Sequence, residues 1–150
     1  MAKEYSEPRM HTAEHILNQT MVRMFQRGRS FSSHIEKKKS KCDYRFDRNL
    51  TPEEVVEIER RVNEVIAADL QVTEEEMPRD EAARMFDLGR LPDAAGDRLR
   101  IVRVGNYDAC PCGGQHALSS TELGVFSIIS TSHENGVLRI RFKIRDEEAR

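Results

Sequence analysis

Residues 51–70, TPEEVVEIERRVNEVIAADL, carry the clearest helix signal in the chain. Thr51 is a typical capping residue, Pro52 suits the first helical position, and Glu54 stands at the capping-box spacing from Thr51. The apolar residues that follow recur at helical spacing: Val55, Ile58, Val62, Val65, Ile66 and Leu70. This stretch therefore predicts an amphipathic helix that packs one face against the rest of the protein.

A second helix is predicted upstream, over about residues 11–27. Apolar residues again recur there at helical spacing, and Gly28 is suited to end the helix. Between the two helices, residues 31–35 and 41–46 have the composition of strands, and the charged residues 36–39 form the predicted turn between them.

Strand patterns dominate the second half of the chain. Residues 71–77 predict a short edge strand, residues 78–86 a brief helix that begins at Pro78, and residues 88–98 a loop. Three more strands are predicted at residues 99–104, 125–131 and 137–144, the last two joined by a turn at residues 133–136. Helices mainly in the first half and strands mainly in the second predict an α+β fold, with helices packed on a mostly antiparallel sheet.

Length and composition limit the class of protein. The chain has 150 residues and a formal charge of −2, and a chain of this length is expected to form one domain, with its core over about residues 11–144. Residues 1–10 lack the apolar core of a signal peptide, and no apolar run is long enough to cross a membrane, which predicts a cytoplasmic protein. Cys110 and Cys112 are separated only by Pro111, which argues against a disulfide framework.

The near-neutral charge argues against a protein that binds long stretches of nucleic acid. Basic residues are nevertheless grouped in the sequence: Lys37, Lys38, Lys39 and Lys41, with Arg23, Arg27 and Arg29 upstream. Two interpretations of this group stay open, a solvated turn and a small contact with nucleic-acid phosphates.

Two pairs of metal-ligating side chains lie far apart in the sequence. His11 and His15 have the i, i+4 spacing that brings two imidazoles to one face of a helix. Cys112 and His116 are also four residues apart, in the segment CGGQH, whose glycines let the backbone fold tightly enough for both side chains to converge. Thiolate and imidazole are ordinary zinc ligands, so the two pairs predict one shared zinc site.

Glu14 permits other interpretations of the first pair. The residues HTAEH match the H-x-x-E-H pattern of inverzincin metallopeptidases, in which Glu14 would act as the general base. The small size of the chain and the unexplained pair Cys112 and His116 argue against that activity. Glu14 is also explained as a first-turn carboxylate that the helix dipole favours.

The motifs HTAEHIL at residues 11–17 and CGGQH at residues 112–116 resemble those of the alanyl-tRNA synthetase editing domain and of the AlaX-type trans-editing proteins. These belong to the family of the threonyl/alanyl-tRNA synthetase second additional domain. The resemblance continues through residues 46–48, 51–54, 81–86, 124–130 and 136–140, and so covers about residues 11–144. Because no aminoacylation domain precedes the motifs, the chain is expected to be of the smallest, free-standing type.

The resemblance implies zinc-dependent hydrolysis of the ester that joins a wrong amino acid, chiefly serine, to tRNA for alanine. The implied partner is the acceptor end of mischarged tRNA, with no membrane or DNA partner. The implied zinc ligands are His11, His15, Cys112 and His116. Two alternatives stay open, a non-catalytic tRNA-binding relative with a structural zinc and a small metallopeptidase.

The family also has a polar specificity residue on the strand after the first helix. Ser32 matches it by position, His34 lies on the same strand face, and Glu14 is a rival from the helix. Glu14 departs from the family, whose synthetase domains usually carry Thr there. Three roles for its carboxylate stay open: a base, a hydrogen-bond partner of a metal ligand, and a determinant of amino-acid choice. Cys110 and Cys42 are expected to pack rather than to react.

Overall fold

Three α-helices, seven β-strands and one 3₁₀ helix make up the part of the chain that the computed structural model describes, residues 8–86 and 97–145. In chain order the elements are α1 (Pro8–Phe25), β1 (Ser32–His34), β2 (Ser40–Arg45), α2 (Pro52–Ala67), β3 (Val72–Pro78), α3 (Arg79–Ala83), β4 (Arg98–Val104), β5 (Asp108–Pro111), the 3₁₀ helix (Ser120–Leu123), β6 (Val125–Glu134) and β7 (Val137–Arg145). Among these residues no helix is both long and apolar enough to span a membrane.

The strands form two antiparallel sheets. One has four strands in the order β1-β2-β7-β6, and the other has three in the order β3-β4-β5. The α+β prediction is confirmed, although the sequence suggested one sheet where the structure has two. A bridge between Gln71 and Ser119 ties the start of β3 to the segment before the 3₁₀ helix.

Helix α2 begins as the sequence predicts. Glu54 N donates to Thr51 Oγ1 at 3.1 Å and Thr51 N donates to Glu54 Oε1 at 2.9 Å, so the capping box is complete. The side chains at one face, Ile58, Val62 and Ile66, are buried in the main core. Asn63 bonds both the N–H and the C=O of Phe126, which fixes α2 along the outer strand β6.

Helix α1 lies at the centre of the described structure. Its apolar face, with Met10, Ile16, Leu17 and Met21, joins the main core. Its polar face is also buried, with Thr12, Glu14, His15 and Asn18 at 5% exposure or less. That face has contacts of its own, since Thr12 bonds Ala117 and His15 faces Asp108 of β5.

Several boundaries differ from the sequence predictions. Helix α1 ends at Phe25. The left-handed backbone conformation that follows the helix is adopted by Gln26, with a φ of 58°, two residues before the predicted terminator Gly28. The predicted turn at residues 133–136 is shorter, because Asn135 and Gly136 (φ 54° and 78°) form it alone and β6 continues to Glu134. Residues 88–96 of the predicted loop at 88–98 lie outside the described residues, and β4 already begins at Arg98.

Strand β5 is the largest omission of the sequence analysis. It is only four residues long and ends in Pro111, so it lacks a clear strand pattern. It pairs with β4 through Cys110 opposite Val102 and Pro111 opposite Ile101. This pairing carries the chain directly to Cys112.

Candidate metal centre

Helix α1 and the segment after β5 bring four side chains together, which we call the His/Cys cluster: His11, His15, Cys112 and His116. One ligand atom from each residue lies within 4.8 Å of the others. Cys112 Sγ is 3.5 Å from His11 Nε2 and 3.4 Å from His116 Nε2. All four sequence-predicted ligands therefore meet at one point.

The ligand segment after β5 is fixed by main-chain and side-chain bonds. Cys112 N donates to Arg100 O at 3.0 Å, Arg100 Nε donates to Cys112 O at 3.0 Å, and the same guanidinium bonds Gly114 O. Gly114 is required by packing, because a Cβ there would overlap the His11 ring. The His11 and His116 rings stack with centroids 4.4 Å apart.

His116 is oriented by Thr12, which neighbours His11 on α1. Thr12 Oγ1 donates to Pro8 O at 3.0 Å and accepts from Ala117 N at 3.0 Å. His116 Nδ1 lies 3.0 Å from the same oxygen, which can accept an Nδ1 hydrogen. That tautomer leaves Nε2, the atom that faces Cys112, free to bind a metal.

His15 is the most deeply buried ligand, at 3% exposure. Its Nδ1 has no hydrogen bond of ordinary geometry, and the facing atom is Asp108 Oδ2 at 3.4 Å. The Asp108 carboxylate is itself buried and accepts from Arg29 Nη1 at 2.6 Å and Gln19 Nε2 at 2.9 Å.

In the absence of a metal the cluster favours the charged forms of Cys112 and His15 and the neutral form of His116. Burial raises the pKa of the Cys112 thiol, but hydrogen bonds with His11, His116 and His15 outweigh burial and lower that pKa to about 3. Burial lowers the pKa of His15, but Asp108 and Cys112 raise it to about 9. Burial also lowers the pKa of His116. A thiolate is therefore ready to bind a cation at neutral pH.

The donor set and its spacing fit zinc. Tetrahedral zinc with a sulfur at about 2.3 Å and nitrogens at about 2.0–2.1 Å puts the sulfur about 3.5–3.6 Å from each nitrogen. The two distances from Cys112 Sγ, 3.4 and 3.5 Å, agree with this separation. The four donor atoms lie within 4.8 Å of one another, so this set of one thiolate and three imidazoles, of which His15 is the buried member, could bind a metal ion such as Zn²⁺.

Comparison with known proteins reveals alanine–tRNA ligases among the relatives. The family model described as "Threonyl and Alanyl tRNA synthetase second additional domain" matches residues 99–141. Alanine–tRNA ligase of Coxiella burnetii is 34% identical over 125 residues, 83% of this chain and 14% of the ligase. The Fervidobacterium nodosum ligase is 34% identical over 140 residues, 92% of this chain and 16% of the ligase. The chain is an AlaX-like, alanyl-tRNA synthetase-related domain. It spans about one-seventh of the length of these ligases.

Glu14 of this synthetase-related domain borders the cluster. Its side chain is buried, with Oε1 3.4 Å from His11 Nε2, and Oε2 accepts from Ser33 Oγ at 2.7 Å. Ser33 Oγ also lies 2.9 Å from Ser30 Oγ. The Glu14 carboxylate therefore faces the His/Cys cluster and is held in place by a hydrogen bond from Ser33 of β1.

Ser32 and His34 share one face of β1, as strand alternation predicts, and that face is exposed. His34 pairs with Glu36 at 2.6 Å on the surface. The structure therefore does not bring these two predicted site residues to the cluster, and it turns Ser33 towards Glu14 instead. The sequence analysis assigned the specificity role to Ser32 by its position alone. The length of the segment after α1 does not determine which residues of β1 face inward, and the choice between Ser32 and Ser33 depends on that.

The remaining cysteines of the domain are buried or partly buried. Cys42 has no exposed surface, and burial raises its pKa to about 12. Burial raises the pKa of Cys110 to about 11. Cys42 is buried as predicted, and Cys110 is not among the four cluster ligands.

The basic group divides into two parts. The three arginines have intramolecular partners: Arg23 with Tyr107 O, Arg27 with Asp47, and Arg29 with Asp108. For Arg29 this corrects the expectation of a phosphate contact, because its guanidinium is committed to a buried carboxylate. The lysines form the second part of the group, and two of them, Lys39 and Lys41, line a surface cleft together with His34 and Arg141.

Sequence reasoning missed the residues that hold the ligands, namely Thr12, Arg29, Arg100 and Asp108. The recurrence of Asp108, Cys110 and Cys112 at every second position was a signal for a strand that leads into the site. Arg29 and Arg100 gave no such signal, because a basic residue in isolation has no identifiable partner.

Proposed function

We propose that this domain hydrolyses the ester bond between a wrong amino acid, chiefly serine, and tRNA for alanine, with Zn²⁺ held by the His/Cys cluster. The observation that carries the proposal is the convergence of four zinc-type donors in a domain related to alanyl-tRNA synthetase. The tRNA would be charged elsewhere and edited here in trans.

His11, His15, Cys112 and His116 would hold the ion. When bound, zinc would supply positive charge that polarises the ester carbonyl or orients the aminoacyl group. The His11 side chain is 24% exposed and that of His15 only 4%, so the substrate would approach from the side of His11.

Glu14 would act as the general base. It would take a proton from the attacking water and return it to the ribose oxygen when the ester C–O bond breaks, so that no net proton is consumed at the carboxylate. Its support is geometric, since one carboxylate oxygen is held by Ser33 and the other faces His11.

Rejection of alanine requires a polar group that only serine satisfies. Ser33 fits this role better than Ser32 or His34, because its hydroxyl lies beside Glu14 on the inner face of β1. Ser32 and His34 would take part only if substrate covered the exposed face of the strand.

The acceptor end would be held by the basic cleft. Strand β1 carries Ser33, which contacts Glu14 on the inner face, and His34, which lies on the exposed face. The cleft on that exposed face is lined by three basic residues and one acidic residue, together with His34 and Ser40: Lys39, Lys41, Arg141 and Glu36. The positive charges of the cleft would contact tRNA phosphates on the exposed face of this strand. The neighbouring Lys37 and Lys38 would extend the contact.

A structural role for the metal is the second candidate. Four protein donors close a tetrahedral site, whereas catalytic zinc needs an open position, and this donor count favours a non-catalytic tRNA-binding domain. The metallopeptidase alternative has less support, because Cys112 and His116 complete the cluster.

Deacylation separates these functions. Zinc-loaded protein would be incubated with tRNA for alanine carrying serine, glycine or alanine, and with an unstructured peptide. We expect rapid release of serine, slow release of alanine and no peptide cleavage. Binding of tRNA without release of any amino acid would favour the structural alternative, and peptide cleavage that requires Glu14 would favour the peptidase.

A further inference from the structure

Asp108 is a buried carboxylate without a role in the proposed reaction. It is 4% exposed and lies at the start of β5, four residues before Cys112. Its Oδ1 accepts from Arg29 Nη1 at 2.6 Å and from Gln19 Nε2 at 2.9 Å, and Arg29 Nη2 donates to Oδ2 at 3.3 Å. Gln19 of α1 and Arg29 of the segment after α1 thus hold this carboxylate in one orientation.

The Oδ2 side of the Asp108 carboxylate faces a cluster histidine. Oδ2 lies 3.4 Å from Nδ1 of His15, a buried nitrogen with no other partner among the described residues. An ionised carboxylate can only accept hydrogen bonds, so it favours the tautomer with hydrogen on Nδ1. That tautomer leaves the lone pair on Nε2, the ring nitrogen on the far side from Asp108.

The geometry points to Asp108, held by Arg29, as a positioning residue that fixes the ring and tautomer of His15 and thereby sets the affinity of the cluster for zinc. Arg29 supplies the opposite charge that a buried carboxylate needs. A carboxylate behind a ligating histidine generally raises metal affinity, and its loss costs about 10–100-fold. The inference rests on the metal-binding part of the proposed function.

The test compares Asp108→Asn with Asp43→Asn. Asp43 makes an equivalent ion pair, with both carboxylate oxygens bonded by Arg139 at 2.8 and 2.9 Å, but this pair joins β2 to β7 and includes no cluster residue. Affinity for Zn²⁺ and Co²⁺ would be measured by competition with a chromophoric chelator, together with the visible spectrum of the Co²⁺ form and the unfolding of the metal-free protein.

We expect Asp108→Asn to weaken metal binding about 10–100-fold and to change the Co²⁺ spectrum, while Asp43→Asn stays within about twofold of wild type. Unchanged affinity and spectrum in Asp108→Asn, with only lower stability, would overturn the inference and leave the proposed function intact. If the wild-type protein binds no metal, both the inference about Asp108 and the proposed zinc-dependent function are wrong.

Arg29→Lys is the second variant, in case Asp108→Asn does not fold. It keeps the positive charge but loses the fork of two donors to Asp108. We expect metal affinity several-fold below wild type. Affinity equal to that of wild type would contradict the positioning role.

Discussion

His11 Nε2 and Cys112 Sγ lie 3.5 Å apart although 101 positions separate them in the sequence. The first belongs to α1, which also anchors the core, and the second belongs to a segment that β4 and Arg100 hold. The site therefore forms only when both halves of the chain have folded. Metal binding and folding should be coupled for this reason.

The cysteines should differ sharply in reactivity in the metal-free protein. Because the pKa of Cys112 is about 3, its thiol is ionised throughout pH 5–8, so alkylation by iodoacetamide should be nearly independent of pH in that range. An ordinary thiol would slow about tenfold for each unit that the pH falls below its pKa of about 8.5. Peptide mapping by mass spectrometry measures each site.

Cys42 is the internal control, since its pKa of about 12 and complete burial should prevent its labelling in the folded chain. Zinc should protect Cys112. Two results would contradict the described environment of these thiols: alkylation of Cys42 before Cys112, or a tenfold fall in the rate of Cys112 alkylation for each unit by which the pH is lowered.

The sequence was sufficient to predict elements that depend on neighbouring residues. Thr51, Pro52 and Glu54 set the start of α2 by local capping, and the i, i+4 spacing of His11 and His15 follows from helix geometry alone. Ligand chemistry then joined the two ligand pairs in one predicted site, and the resemblance supported this because it contains both motifs in one order.

Tertiary partners were beyond sequence reasoning. Arg29 meets Asp108 across 79 positions, and no local pattern selects that partner among the basic and acidic residues of the chain. The choice between Ser32 and Ser33 depended on a strand register, and a shift of one residue exchanges the buried and exposed faces. Such details depend on how the strands and helices pack in three dimensions.

Glu14→Gln keeps the size of the side chain but removes its capacity as a base. If Glu14 is the general base, kcat for seryl-tRNA hydrolysis should fall about 10²–10⁴-fold while zinc content stays the same. The exposed Glu53→Gln on α2 is the matched control and should retain full activity. An active Glu14→Gln variant would remove Glu14 from the mechanism.

Ser33→Ala should reduce discrimination between serine and alanine. Loss of the hydroxyl beside Glu14 should lower the ratio of seryl-tRNA to alanyl-tRNA hydrolysis by about tenfold or more, with normal zinc content. Ser32→Ala, one residue away on the exposed face, is the control. A changed ratio in Ser32→Ala or His34→Ala, with Ser33→Ala unaffected, would restore the assignment made from sequence position.

The lysines around the β1–β2 turn should contribute electrostatic affinity for tRNA. Replacement of Lys37, Lys38, Lys39 and Lys41 by Gln should flatten the plot of log K against log salt by about 0.7–0.9 for each phosphate that no longer has a lysine partner. Arg60→Gln on α2, whose guanidinium pairs with Glu57 and Glu64, should leave the slope unchanged. Equal slopes for wild type and the lysine variant would identify the group as a solvated turn.

Zinc content and seryl-tRNA hydrolysis, measured on the same preparations, test the central claim most directly. The samples would be wild type, His11→Ala, Cys112→Ala, the double variant, and Cys110→Ala as a thiol control. We predict one zinc and full activity in wild type and Cys110→Ala, joint loss of both in the other variants, and recovery of chelated wild type when zinc is restored. One full zinc equivalent in the double variant, or undiminished hydrolysis by chelated wild type, would contradict the account.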